Sequence, residues 1–120
     1  MLNSLLCINI SSSNTKKLVE FYTNILGVPI QFEGYGDYDG AQIGFIKGAP
    51  TITIWDENKW GKYVKGSTFV FMTDGLDKTY EELKQKGMEL EPPYKAAWGG
   101  RELKLQDFEG NNILLLEPME

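Results

Sequence analysis

The chain has 120 residues, the size of one domain that can bury a core without disulfides or a structural metal. Its 42% hydrophobic and 24% charged residues are ordinary for a soluble globular protein, and a net charge of −5 argues against a nucleic-acid binder, whose affinity rests on clustered Lys and Arg. A single cysteine fits a reducing, cytoplasmic setting, and Met1-Leu2-Asn3-Ser4-Leu5-Leu6 has neither the basic start of a signal peptide nor the apolar length of a membrane span, so no membrane partner is expected.

The first expected strand is Ser4 to Ile10, where Leu6, Ile8 and Ile10 alternate with Leu5, Cys7 and Asn9. Ser11 to Asn14 supplies helix N-caps, and Thr15 to Leu26 carries Leu18, Phe21, Tyr22, Ile25 and Leu26 at helical spacing, with Gly27 placed to end the helix. Short strands are predicted at Pro29 to Phe32, Ala41 to Ile46 and Thr51 to Trp55. An acidic glycine-rich loop, Glu33 to Gly40, follows the first of them, and a turn through Lys47-Gly48-Ala49-Pro50 joins the last two. Asp56 to Lys65 reads as a polar linker.

The pattern then recurs. Ser67 to Met72 is a predicted strand, Asp77 to Gln85 a helix with Tyr80 and Leu83 inward, Gly87 its terminal glycine and Met88 to Leu90 a short strand. Glu102 to Gln106 pairs with Asn112 to Glu117 through the turn Asp107-Phe108-Glu109-Gly110-Asn111. Gly27 and Gly87 lie 60 residues apart, and 14 residues after that glycine each half reaches the opening of its third strand, at Ala41 and at Arg101. The chain thus reads as an α+β single domain of two tandem βαβββ modules, about 4–56 and about 66–118.

Two stretches carry a family resemblance. Asp107-Phe108-Glu109-Gly110-Asn111-Asn112-Ile113-Leu114-Leu115 resembles the final hairpin of the vicinal oxygen chelate superfamily (glyoxalase I, bleomycin resistance protein, extradiol dioxygenases), whose members read Asp-Pro-Asp-Gly-Asn-x-Ile-Glu-Leu there. Phe21-Tyr22-Thr23-Asn24-Ile25-Leu26-Gly27 is similar to that family's Phe-Tyr-x-x-x-Leu-Gly segment. The resemblance implies paired βαβββ modules whose mixed sheet curves around a cleft, often completed across a homodimer. It also implies where a metal would be held, at the positions of Cys7, Thr68 and Leu114. A leucine stands where metal-binding members carry a carboxylate, and the chain has no histidine, the commonest ligand for zinc, nickel or non-haem iron. No metal or other cofactor is therefore expected, and no catalytic residue is named.

Strand parity extends the candidate site. With Leu6, Ile8, Ile10, Phe69, Phe71, Ile113 and Leu115 under the helices, Cys7, Asn9, Thr68, Val70, Met72, Asn112, Leu114 and Leu116 face the cleft. Trp55 ends a strand, Trp60 lies in the linker, and Trp98-Gly99-Gly100-Arg101 opens a strand near the expected cleft mouth, with Tyr35, Tyr38 and Tyr94 in loops. The expected ligand-binding set is Cys7, Asn9, Trp55, Thr68, Val70, Trp98, Arg101, Asn112 and Leu114. Plainer roles stand beside these: Cys7 as a small buried hydrophobe, Trp55 and Trp98 as end plugs or dimer contacts, and Arg101 paired with Glu102 or Asp107.

The reading that follows is a metal-free binding protein, similar to bleomycin resistance proteins, that sequesters a small planar or cationic molecule. The alternatives are a glyoxalase- or dioxygenase-type lyase or oxidoreductase with altered active-site residues, supported by fold analogy alone, and an interaction dimer with no ligand.

Overall fold

Strand β1 (Cys7–Ser12) and strand β5 (Thr68–Met72) begin 61 residues apart, and each starts the same succession of strand, helix and three strands. The computed structural model describes residues 1, 4–34, 40–61 and 67–117, which divide into two compact units, Met1–Lys65 and Gly66–Glu120. Tyr35 and Tyr38 lie outside the described residues, as do residues 62–66.

In the first unit β1 is followed by α1 (Thr15–Glu20), β2 (Ile30–Glu33), β3 (Gly40–Ile43), β4 (Thr51–Asp56) and a short helix α2 (Glu57–Trp60). The sheet order is β1-β4-β3-β2, with β1 parallel to β4 and the other pairs antiparallel. Asn14 caps α1, its side chain accepting a hydrogen bond from the Lys17 amide at 3.2 Å. The helix continues into a π-helical turn, Phe21–Ile25, closed by the Leu26 amide on the Phe21 carbonyl at 3.2 Å. That wider turn rotates later residues off the α period. Leu18, Val19 and Tyr22 are buried, while Phe21, Ile25 and Leu26 are only partly covered.

Gly27 then reverses the chain at φ 77°, where a side chain would be strained. The core beneath α1 is Ile10, Val28, Ala41, Ile43 and Ile54. Here the structure corrects the first strand. It starts at Cys7, not Ser4, and of the three residues expected under the helix only Ile10 is buried, Ile8 being 45% and Leu6 77% exposed. The expected linker after Asp56 instead begins with α2, capped by Asp56 through the Asn58 amide at 2.9 Å.

The second unit has β5, α3 (Leu76–Gln85), β6 (Tyr94–Lys95), β7 (Arg101–Gln106) and β8 (Asn112–Leu116) in the order β5-β8-β7-β6, again with one parallel pair, β5 and β8. Helix α3 buries Leu76 and Leu83 against Phe69, Leu103, Leu105, Ile113 and Leu115. Each such side chain withdrawn from water contributes roughly 1.5–3 kcal/mol before the entropy of ordering is charged. The second strand of this module is Tyr94–Lys95, not Met88 to Leu90, because two prolines, Pro92 and Pro93, delay the chain's return to the sheet. None of the helices among the described residues is long and apolar enough to cross a membrane.

The fold is mixed α+β, with two four-stranded mixed sheets and few helices, as the tandem βαβββ reading requires.

Candidate functional site

The ladder registers of the second unit sort its strands into two faces. On the face away from α3 three rungs follow one another: Thr68, Asn112 and Gln106; then Val70, Leu114 and Lys104; then Met72, Leu116 and Glu102. The first rung is polar, Gln106 Nε2 donating to Asn112 Oδ1 at 2.8 Å. The middle rung is largely apolar, and Val70 and Met72 are 59% and 63% exposed. A cavity of about 720 Å³ lies at the polar end, and Thr68, Asn112, Gln106, Leu114, Met88 and Leu90 are among its lining residues. Of the residues chosen from the sequence, Thr68, Asn112 and Leu114 line this cavity and Val70 sits one rung on.

Trp98 belongs to the other end. Its indole lies on Gly100, where an added Cβ would come within 1.9 Å of the ring, and its Nε1 donates to Glu102 Oε2 at 2.8 Å. Tyr94, opposite Glu102 in the β6–β7 ladder, donates its hydroxyl to Glu102 Oε1 at 2.5 Å, and Lys104 Nζ stands 5.5 Å from the Tyr94 ring centre. The hydrogen bond from Tyr94, then that from Trp98, holds the Glu102 carboxyl below its usual range, and Lys104 adds a smaller pull in the same direction. The same contact with Glu102 pushes the Tyr94 phenol up. Sequence reasoning had left Tyr94 in a loop and given Glu102 no role beyond pairing. Alternation along β7 from Leu114's partner Lys104 would have found Glu102.

Arg101 is placed elsewhere. It shares the α3 side of β7 with Leu103 and Leu105, and its guanidinium bonds Asp77 at 2.8 and 3.1 Å and Glu117 at 3.2 Å, not Glu102 or Asp107. Asp77 draws the guanidinium pKa up, and Arg101 in turn holds the Asp77 carboxyl below its usual value, the hydrogen bond being the main cause of both. Its ladder position thus separates Arg101 from the rung residues with which the sequence had grouped it.

In the first unit Cys7, Asn9 and Trp55 share the face away from α1. Asn9 Oδ1 accepts from Trp55 Nε1 at 3.2 Å and from the Cys7 thiol at 3.5 Å. The Trp55 and Trp60 rings meet edge to face, 6.3 Å apart and inclined at 66°. Gly40 makes room for this arrangement, since a Cβ there would fall 2.2 Å from the Ile54 carbonyl and 3.1 Å from the Trp55 ring. On the same face Thr53 is 1% exposed and its Oγ1 has no hydrogen-bond partner among the described residues.

The donors at the metal positions that the resemblance implies do not suit a divalent ion. Cys7 offers a thiol already engaged with Asn9, Thr68 a neutral hydroxyl and Leu114 only hydrocarbon, while such ions need three or four converging donors of matched softness. Among the described residues no group of three His, Cys, Asp or Glu side chains is arranged to hold a metal.

With the fold and these faces established, relatives place the chain. The model of the Glyoxalase/Bleomycin resistance protein/Dioxygenase superfamily matches residues 4–115, so the chain belongs to that superfamily. An uncharacterized protein, YraH of Bacillus subtilis (strain 168), is 31% identical over 122 residues, covering 91% of this chain and 94% of its own. A superfamily member from Sphaerobacter thermophilus DSM 20745 superposes with a TM-score of 0.78 at 22% identity over 98% of this chain and 99% of that one. TnmS3, an antibiotic binding protein from Streptomyces sp. CB03234, gives 0.79 at 19% identity over 98% of both chains.

Proposed function

We propose that this chain is a metal-free binding protein that sequesters a small planar or cationic molecule, and that it does so in the cytoplasm as a homodimer. The observation that carries the reading is the open face of the second sheet, where the exposed side chains of Val70 and Met72 lie between the cavity at the Thr68–Asn112 rung and the Tyr94–Trp98 pair. Flat apolar surface flanked by rings and a few directional polar groups is what a planar guest needs. The antibiotic-binding neighbour TnmS3 supports a small-molecule ligand by likeness of fold. Cys7, Asn9 and Trp55 offer a second polar and aromatic surface on the first unit.

Pairing with a second copy is supported by the first unit's exposed apolar residues, Leu6, Ile8, Phe45 and Ile46 among them, since isolated proteins seldom leave so many large side chains in water.

The test combines metal analysis of purified protein, a tryptophan-quenching panel of planar cationic compounds, and light scattering for the oligomeric state. Saturable quenching without stoichiometric metal is expected. Tightly bound zinc, nickel, iron or manganese at one per chain would overturn the reading, and so would a panel that leaves the emission unchanged.

A further inference from the structure

We infer that Glu102, held between Tyr94 and Trp98, is the charge-selecting group of the ligand surface and fixes a planar aromatic cation with its charged end at the third rung. The inference rests on the binding reading above and goes further, naming the ligand's charge, its orientation and the residue that sets both.

Three observations converge on it. First, Glu102 extends the line Met72, Leu116, Glu102 on the open face, so a guest lying on Val70 and Leu114 of the middle rung has a carboxylate at one edge. Second, that carboxylate is fixed in place. Each oxygen takes one hydrogen bond from a rigid aromatic side chain, Tyr94 at 2.5 Å and Trp98 at 2.8 Å, which leaves lone pairs for a further donor and places two electron-rich rings beside it. A cation gains from both the carboxylate and the ring faces, whereas an anion is repelled by both. Third, the opposite rung of the face carries neutral amide and hydroxyl groups, Asn112, Gln106 and Thr68, and the carboxylates near it, Glu89 and Glu91, come from the segment lining the cavity and not from the rungs, so among the rung residues Glu102 is the one carboxylate. Four residues of strand separate the end rungs, roughly 13 Å at about 3.3 Å per residue, the span of three fused rings.

Lys104 is the competing charge, with its Nζ 5.5 Å from the Tyr94 ring. A bound cation displaces that ammonium from the ring, so Lys104 weakens but does not abolish the preference.

The probes are 9-aminoacridine, a planar cation, and acridine at mildly alkaline pH, where it is uncharged, with affinities read by calorimetry on the full chain. The native protein is expected to prefer the cation by about tenfold, equal to about 1.4 kcal/mol. Glu102→Gln, which keeps the acceptor for Tyr94 or Trp98, should bring the two affinities together, while Lys104→Met should widen the gap. If the native protein binds both compounds and Glu102→Gln leaves their ratio unchanged, the assignment of Glu102 fails while the binding reading stands. If the native protein binds neither, both fail. Circular dichroism of each variant separates a lost carboxylate from a lost fold, and the neutral probe's retained affinity does so independently.

Discussion

Arg101 and Asp77 face each other through two contacts, Nη2 to Oδ1 at 2.8 Å and Nη1 to Oδ2 at 3.1 Å, and the same Nη1 reaches Glu117 Oε1 at 3.2 Å. The other oxygen of Glu117 accepts the Leu76 amide, at 2.9 Å, at the start of α3. One guanidinium therefore ties the first turn of the helix to β7 and to the end of β8. The helix has no side-chain N-cap of its own, since Gly75 occupies that position, and the Glu117 carboxylate does the work.

Replacing Arg101 with Met is expected to lower the melting temperature at pH 7, and the loss should depend on pH in a definite direction. Arg101 depresses the Asp77 pKa, so this contribution is present above the unfolded carboxyl's pKa and disappears as pH falls through the lower folded value. The gap between native and variant protein should therefore close in acid. Both groups are exposed, which keeps the effect modest. Thermal unfolding followed by circular dichroism across the acidic range checks it, and a gap of constant size would contradict the account.

The two faces of the second sheet predict opposite consequences for similar truncations. Leu103 is fully buried beneath α3, so Leu103→Ala should cost about 2–5 kcal/mol in urea unfolding. Val70, on the open face and 59% exposed, should change stability by about 0.5 kcal/mol or less when cut to Ala, while weakening the affinity for a planar probe. Equal losses of stability at the two sites would mean that the second face is also core.

Much of this division was legible from alternation alone, because a strand's side chains must change face at each residue whatever the tertiary context. Phe69, Ile113 and Leu115 against Val70, Asn112 and Leu114 follow from it directly. Arg101 did not, because the sequence reading grouped it with Trp98 at the strand's opening, near the expected cleft mouth, and applied no alternation to it, whereas it continues the row of Leu103 and Leu105. The Tyr94–Glu102 pair was hidden for a related reason. Its partner strand is two residues long and follows two prolines, so it has no periodicity to detect. In the first unit the π-helical turn broke the spacing on which the helix's inner face had been counted.

Gly100→Ala isolates the role of Trp98. The added methyl would meet the indole at 1.9 Å, so the ring must leave its seat and release Glu102. A shift in tryptophan emission is expected, together with loss of preference for a cationic over a neutral planar probe, while far-ultraviolet circular dichroism stays native. Unchanged emission would show that Trp98 does not rest on Gly100.

The turn between β7 and β8 predicts a graded pair of variants. Asp107 is 4% exposed, and its Oδ1 accepts the amides of Glu109 at 2.9 Å and Asn111 at 3.0 Å, while Oδ2 accepts Asn111 Nδ2 at 2.9 Å. Asp107→Ala strips these donors of their acceptor in a place water does not reach, at a cost of about 1–3 kcal/mol. Asp107→Asn should cost less. Its carbonyl can still serve the two amides, and its new NH₂ can donate to Asn111 Oδ1, which has no partner among the described residues, once the Asn111 amide turns over. Denaturant unfolding of the three proteins should therefore rank native above Asn above Ala. If Asn proves as damaging as Ala, the turn depends on the carboxylate's charge and not on its acceptor geometry.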